Sequence, residues 1–124
     1  MSDFSIVLER LLIELDKILT LFQKFLEKGD VNLVEEAASL MVVKGGEFQS
    51  ALGEYSHRIL TAMLIEAGLR IKERTNVIRE RGLRREDFEY IKDIYSVFKQ
   101  IADKIRTGEY ESSYWRMVEK RSNY

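Results

Sequence analysis

Residues 4–26 read FSIVLERLLIELDKILTLFQKFL, a stretch that contains no glycine or proline. When this stretch is projected at 100° per residue, its apolar side chains fall on one arc of roughly 140°. The opposite arc carries mainly charged and polar side chains. The apolar arc consists of Phe4, Val7, Leu8, Leu11, Leu12, Leu15, Ile18, Leu19, Phe22, Phe25 and Leu26. Such a stripe predicts a long amphipathic helix that must bury one face against other helices.

Further periodic segments follow, and glycines separate most of them. Gly29, Gly82 and Gly108 each come directly after an apolar helical pattern, where a residue without a Cβ can take the left-handed conformation that ends a helix. Either Asp30 or Asn32 can cap the second helix. The predicted helices cover residues 4–28, 31–44, 47–81, 85–106 and 113–120.

The glycine pair Gly45-Gly46 predicts a break or kink, because each glycine costs about 1 kcal/mol in a helix interior relative to alanine. The alternative is a continuous helix in which these glycines let a neighbouring helix approach closely, and Gly53 lies on the same face as Gly46. Nothing forces a stop between Glu47 and Arg81. The pattern therefore predicts one spine helix of about 50 Å over these residues.

The apolar stripe of this predicted spine changes face partway along. Phe48, Leu52, Tyr55, Ile59 and Met63 form the first stripe, and Leu60, Leu64, Ala67, Ile71 and Ile78 form a second one. The second stripe is turned by about 120° from the first at helical periodicity. Two apolar faces predict two different neighbours, which we expect to be the first helix and the helix after Gly82.

These segments predict an all-α fold, an antiparallel helical bundle of four main helices plus a short carboxy-terminal helix. We expect a single domain over residues 1–124, because a chain of this length buries roughly two thirds of its unfolded surface in one core. The absence of proline fits an almost wholly helical chain.

Composition limits the classes of function. The chain has no cysteine, which excludes disulfides, thiolate metal sites and cysteine nucleophiles. No run approaches the ~18 consecutive apolar residues of a membrane-spanning helix, and the amino terminus lacks a signal pattern. We therefore expect a cytoplasmic protein with no membrane partner. One third of the residues are charged, which is typical of thermophilic proteins, although an ordinary charged mesophilic protein is the alternative.

No motif predicts catalysis. Glu54 and His57 have the Glu-x-x-His spacing of di-iron bundles, but they lie opposite the first apolar stripe of the spine, which indicates a surface pair. His57 is the sole histidine, and no motif around it predicts a base for a serine nucleophile. The sequence also contains no phosphate-binding glycine loop. The sequence therefore predicts a non-enzymatic protein with no catalytic residue, no metal site and no cofactor.

A basic cluster covers residues 70–85, RIKERTNVIRERGLRR, which hold seven basic and two acidic side chains. Positive charge of this density suits the phosphate backbone of RNA or DNA through counterion release. The alternative is an exposed helix end whose arginines pair with Glu73, Glu80, Glu86 and Asp87. The candidate nucleic-acid contacts are Arg70, Arg74, Arg79, Arg81, Arg84 and Arg85.

The leading functional hypothesis is a helical interaction or assembly module, because the first helix and the spine show more apolar area than one neighbour covers. The partner is then a second copy, giving a homodimer, or another protein in a larger complex. Glu66 can pair with Arg70 along its helix, either in solvent or as a polar layer that fixes register at a self-association seam. The candidate interface residues are Ile6, Ile13, Leu21, Gly53, Glu66, Gly68 and Trp115.

Overall fold

The computed structural model of the chain describes residues 3–52 and 57–122, with side chains for 4–51 and 59–120. Within these residues the secondary structure is entirely helical and contains no strand, which confirms that the fold is all-α. The helices are α1 (Asp3–Lys28), α2 (Val31–Leu52), α3 (His57–Arg81), α4 (Arg85–Arg106) and α5 (Glu109–Ser122).

Three helices end at the glycines that the sequence indicated. Gly29, Gly82 and Gly108 have φ values of 71°, 91° and 82°, in the left-handed region. At the first of these ends, the amide of Gly29 donates to the carbonyl of Phe25 at 2.7 Å. The Asp30 carboxylate accepts a hydrogen bond from the backbone amide of Asn32 at 3.0 Å and so caps the start of α2.

The break predicted at Gly45-Gly46 is wrong, because both residues lie inside α2. The alternative, a continuous helix with a close neighbour, is the observed one. A Cβ on Gly45 would lie 2.6 Å from Cγ1 of Ile65 and 3.3 Å from the carbonyl oxygen of Thr61, both on α3. The glycine is therefore retained in the helix because α3 passes too close for a side chain.

The single spine helix from Glu47 to Arg81 is also wrong. Residues 47–52 complete α2, and residues 57–81 form α3, which packs along α2. The apparent change of face at Ile59 and Met63 arises because the first stripe combined residues of two helices. Gly53 lies outside the described residues.

Helix α2 lies between α1 and α3, and α1 lies between α2 and α4. The beginning of α2 meets the end of α3, where Glu35 pairs with Arg79, and the end of α2 meets the beginning of α3 at Gly45. Helix α3 contacts α4 only loosely, and α5 packs on α4. The core centres on the predicted stripe of α1, and its buried members there are Leu8, Leu11, Leu15, Ile18, Leu19, Phe22 and Phe25.

Helix α5 begins at Glu109, four residues before the predicted start, and extends to Ser122. Acidic side chains in its first turn favour this start, since they face the positive end of the helix dipole. Helix α5 is also tied to the beginning of α1. The Ser5 hydroxyl donates to the Glu111 carboxylate at 2.7 Å, and the rings of Phe4 and Tyr114 lie 4.7 Å apart.

Candidate functional site

A groove runs between α3 and α4 and continues to α5. It contains two adjoining cavities of about 330 and 300 Å³, both of which are lined by Met63. The first lies between α3 and α4, and the second also reaches Tyr110, Tyr114 and Met117 of α5. The groove exists because α3 packs tightly on α2 and only loosely on α4.

Helical periodicity places two apolar rows along this groove. Side chains four residues apart on α3 and three or four residues apart on α4 share one face of each helix. The rows consist of Ile59, Met63 and Ala67 on α3, and Ile94, Val97 and Ile101 on α4. Three of these side chains keep much of their surface in solvent: Ile59 is 65% exposed, Val97 45% and Met63 40%. A contiguous apolar surface of this kind is typical of sites that bind proteins or other apolar ligands.

Glu66 and Arg70 lie at the edge of the groove, where they form an ion pair. The Arg70 guanidinium donates to Glu66 Oε1 at 2.8 Å, and this hydrogen bond raises the pKa of Arg70. Both side chains are about two-thirds exposed. The pairing along the helix is thus confirmed, and the two charges face solvent.

The candidate interface residues of α1 and α5 have different surroundings. Ile6 and Ile13 point away from the core on the outer face of α1, with exposed fractions of 37% and 56%. Leu21 is partly buried against the core, so it offers less surface to a partner. Trp115 is 43% exposed, and its indole N–H donates to Glu111 at 3.3 Å.

Gly68, another candidate interface residue, is buried against α2 of the same chain. A Cβ there would lie 2.8 Å from the carbonyl oxygen of Ala38 and 2.8 Å from Cγ2 of Val42. The close approach that glycine allows at this position is therefore used inside the molecule.

The basic cluster is built around Asp87, whose side chain is fully buried. Arg81 holds this carboxylate with two hydrogen bonds of 2.8 and 2.9 Å, and Arg74 adds a third contact at 3.3 Å. The backbone amide of Arg84 donates to the same carboxylate at 2.8 Å, which caps α4. The Arg74 guanidinium also lies 4.1 Å from the centre of the Tyr90 ring, a cation–π geometry.

The hydrogen bonds from Arg81 lower the pKa of Asp87, with the Arg84 amide acting in the same direction. Burial alone would raise the pKa, because it disfavours the charged form. The arginines outweigh that cost and keep the carboxylate ionised. The network therefore joins the end of α3, the connecting residues and the start of α4.

The other candidate arginines also have acidic neighbours. Arg79 pairs with Glu35 of α2 at 2.6 Å, Arg85 with Glu89 at 3.3 Å, and Arg84 with Glu86 at 3.9 Å. All six candidate arginines thus lie within 4 Å of a carboxylate oxygen. Glu86 and Asp87 are partners that the sequence indicated. The pairing of Glu66 with Arg70 was also expected, whereas Glu35 and Glu89, the partners of Arg79 and Arg85, were not.

Neither a cluster of metal-binding side chains nor a membrane-spanning helix occurs in the part of the chain that the structure describes. The side chains described, those of residues 4–51 and 59–120, include no group of three or more acidic or histidine side chains placed to bind a metal ion. None of the helices formed by those residues has both the length and the apolar character needed to cross a bilayer. The side chains of Glu54 and His57, the predicted surface pair, lie outside the described residues.

Comparison with known proteins returns no similarity that assigns the chain to a family. No family model, no curated protein and no solved structure matches the sequence or the fold.

Proposed function

We propose that this protein is a non-enzymatic helical interaction module that binds an apolar helix in the groove between α3 and α4. In this proposal α1–α4 form an antiparallel four-helix bundle, with α5 across one end. The antiparallel arrangement is supported by α2 and α3, because the start of α2 meets the end of α3 at Glu35 and Arg79 and the end of α2 meets the start of α3 at Gly45. The observation that carries the function is the pair of solvent-exposed apolar rows that border the two cavities.

The groove suits a helix better than it suits a small molecule. It is lined almost wholly by apolar side chains, with the Glu66–Arg70 pair and Asp93 at its edge. The other polar lining residues are Ser113 and the half-buried Tyr90, Tyr110 and Tyr114, and no charged side chain among the lining residues is buried to orient a small ligand. An amphipathic helix needs only an apolar trough with a polar rim. The partner should therefore present apolar residues at helical spacing, with charged groups where it meets the Glu66–Arg70 pair.

Substitution of Val97 tests this proposal. Amphipathic helical peptides of about 20 residues are selected against the wild-type protein from a displayed library, and their affinity is measured by fluorescence anisotropy. Val97→Glu should weaken binding by about tenfold or more, because a carboxylate would be desolvated inside the groove.

Val43→Glu is the matched control, because Val43 is a valine of similar exposure, 54%, on α2. This variant should bind the selected peptides with unchanged affinity. Equal loss in both variants, or equal binding by both, would show that the peptides do not occupy the groove.

Binding to a phosphate backbone is the alternative function, and the arginine cluster is less suited to it than its sequence indicates. Because the arginines already have carboxylate partners, we expect no shift of labelled RNA or DNA in an electrophoretic assay at low salt. The informative variant is Arg84→Glu with Arg85→Glu, since these side chains are 59% and 93% exposed. Arg81 should be left intact because it holds Asp87. A salt-dependent shift that this double variant abolishes would favour the alternative.

A further inference from the structure

We infer that the helix bound at this surface is α3 of a second copy of the chain, running antiparallel to α3 of the first. This inference rests on the proposed function and names its partner. The observation behind this inference is a stripe of exposed side chains on the face of α3 that borders the groove.

The stripe follows the spacing of a coiled-coil seam. Its members are separated by four, three, four, three and four residues, as are alternating d and a positions of a heptad repeat. They are Ile59, Met63, Glu66, Arg70, Glu73 and Val77. All six are exposed in the isolated chain, including Ile59 at 65% and Val77 at 45%. A stripe with this periodicity can pack along a second helix over about 27 Å.

Two of the three kinds of pair in this stripe are complementary when it is read in the opposite direction, and the third places Met63 opposite the partner's Glu73. In an antiparallel pair centred between Glu66 and Arg70, Ile59 lies opposite the partner's Val77. Glu66 then lies opposite the partner's Arg70, and Arg70 opposite the partner's Glu66. Both exchanges occur twice across a two-fold axis, which is the self-complementarity that an isologous interface requires.

The charges also select the antiparallel arrangement over the parallel one. A parallel pair in register would place Glu66 against the partner's Glu66 and Arg70 against the partner's Arg70. Like charges that face each other at a helix seam are unfavourable. In the antiparallel pair each Glu66 instead faces an Arg70 of the other copy. The structure shows the two groups 2.8 Å apart within one chain and exposed, so they can form contacts with a second copy.

Charge reversal tests the pairing through the oligomeric state, measured by analytical ultracentrifugation. The wild-type chain should sediment as a dimer. Glu66→Arg alone and Arg70→Glu alone should each weaken dimerisation by about tenfold or more, because each creates two like-charge contacts. The double variant should restore the dimer, since it exchanges the charges at every contact. Helix content measured by circular dichroism should be unchanged throughout.

The matched control is Glu89→Arg, which disrupts an exposed i,i+4 ion pair with Arg85 on the outer side of α4. It should leave the dimer unchanged. A wild-type monomer, or a double variant no better than the single ones, would overturn the inference.

Cysteine cross-linking tests the register directly, because the chain has no native cysteine. Chains carrying Ile59→Cys are mixed with chains carrying Val77→Cys under mild oxidation. The mixture should give a disulfide-linked heterodimer, and Ile59→Cys alone should give none. Rapid cross-linking of Ile59→Cys to itself would show a parallel arrangement and reject this one. If the protein is monomeric but the groove still binds the selected peptides, only this inference fails; if the peptides also fail, the proposed function fails with it.

Discussion

Replacing Gly68 with alanine should destabilise the protein by about 1–3 kcal/mol, the range for forcing extra volume into a packed interior. The added Cβ would lie 2.8 Å from the carbonyl oxygen of Ala38, 2.8 Å from Cγ2 of Val42 and 3.0 Å from Cβ of Met41. Backbone oxygen cannot move aside as the end of a flexible side chain can. The clash should therefore outweigh the gain of about 1 kcal/mol in helix propensity. Urea denaturation followed by circular dichroism measures the change.

Gly46→Ala is the matched control within the same pair of helices. Apart from its chain neighbours and the adjoining backbone of α2, no described atom lies within 4 Å of a Cβ at this position, so only the gain in helix propensity remains. This variant should be more stable than the wild type by up to about 1 kcal/mol. Stabilisation by both substitutions would contradict the close packing of α2 and α3.

Replacing Asp87 with asparagine should destabilise the protein by about 2–4 kcal/mol, the range for removing one partner of a buried charged pair. The amide cannot accept both hydrogen bonds from Arg81, and it leaves the guanidinium without its counter-charge. Part of the cap on α4 is also lost, because Asp87 accepts from the amide of Arg84. The neighbouring Glu86→Gln is the control: Glu86 is 62% exposed and lies 3.7 Å from Arg81, so its change should cost under about 0.5 kcal/mol.

The pH dependence of stability shows whether Asp87 stabilises the fold through its charge or through its packing. Since the folded protein lowers the pKa of Asp87, the contribution of this carboxylate is fully present above its ordinary pKa of about 3.9. It is lost as the pH falls below that value and through the lower pKa of the folded state. The stability difference between wild type and Asp87→Asn should therefore shrink below about pH 4. A difference that stays constant on acidification would show that packing, not charge, is responsible.

Much of the fold follows from local patterns in the sequence. The stripe of α1 and the glycine stops at Gly29, Gly82 and Gly108 depend on residues close together in the chain, and all of these predictions are confirmed. The behaviour of Gly45 depends instead on Ile65, twenty residues away, whose position cannot be read from helix propensity. Propensity alone favoured a break, and tertiary packing decided the outcome.

The prediction of a single helix from Glu47 to Arg81 failed for a related reason. No proline marks the boundary between α2 and α3, and Gly53, which directly follows the last residue of α2, was interpreted as a packing glycine on the face of Gly46 and not as a helix stop, so continuity was favoured. The informative signal was the 120° change of apolar face near Met63. A change of face can mean one helix with two neighbours or two helices in succession, and here the second interpretation was right.

The candidate site was less predictable than the fold. The Glu66–Arg70 pair is local and was expected, whereas Arg79 pairs with Glu35 across 44 positions of the chain. The burial of Asp87 likewise depends on how α3 and α4 meet. The groove depends on the loose packing of α3 against α4, which cannot be read from the hydrophobic periodicity of either helix.

The buried Asp87 has a mechanical consequence for the groove. It fastens α3 to α4 at the end where the two helices are joined, through Arg81 and Arg74. At the opposite end the walls of the groove meet at α5, whose contribution includes Met117. If a helix binds in the groove as we propose, we expect the groove to open most at the α5 end, because Asp87 holds the other end closed.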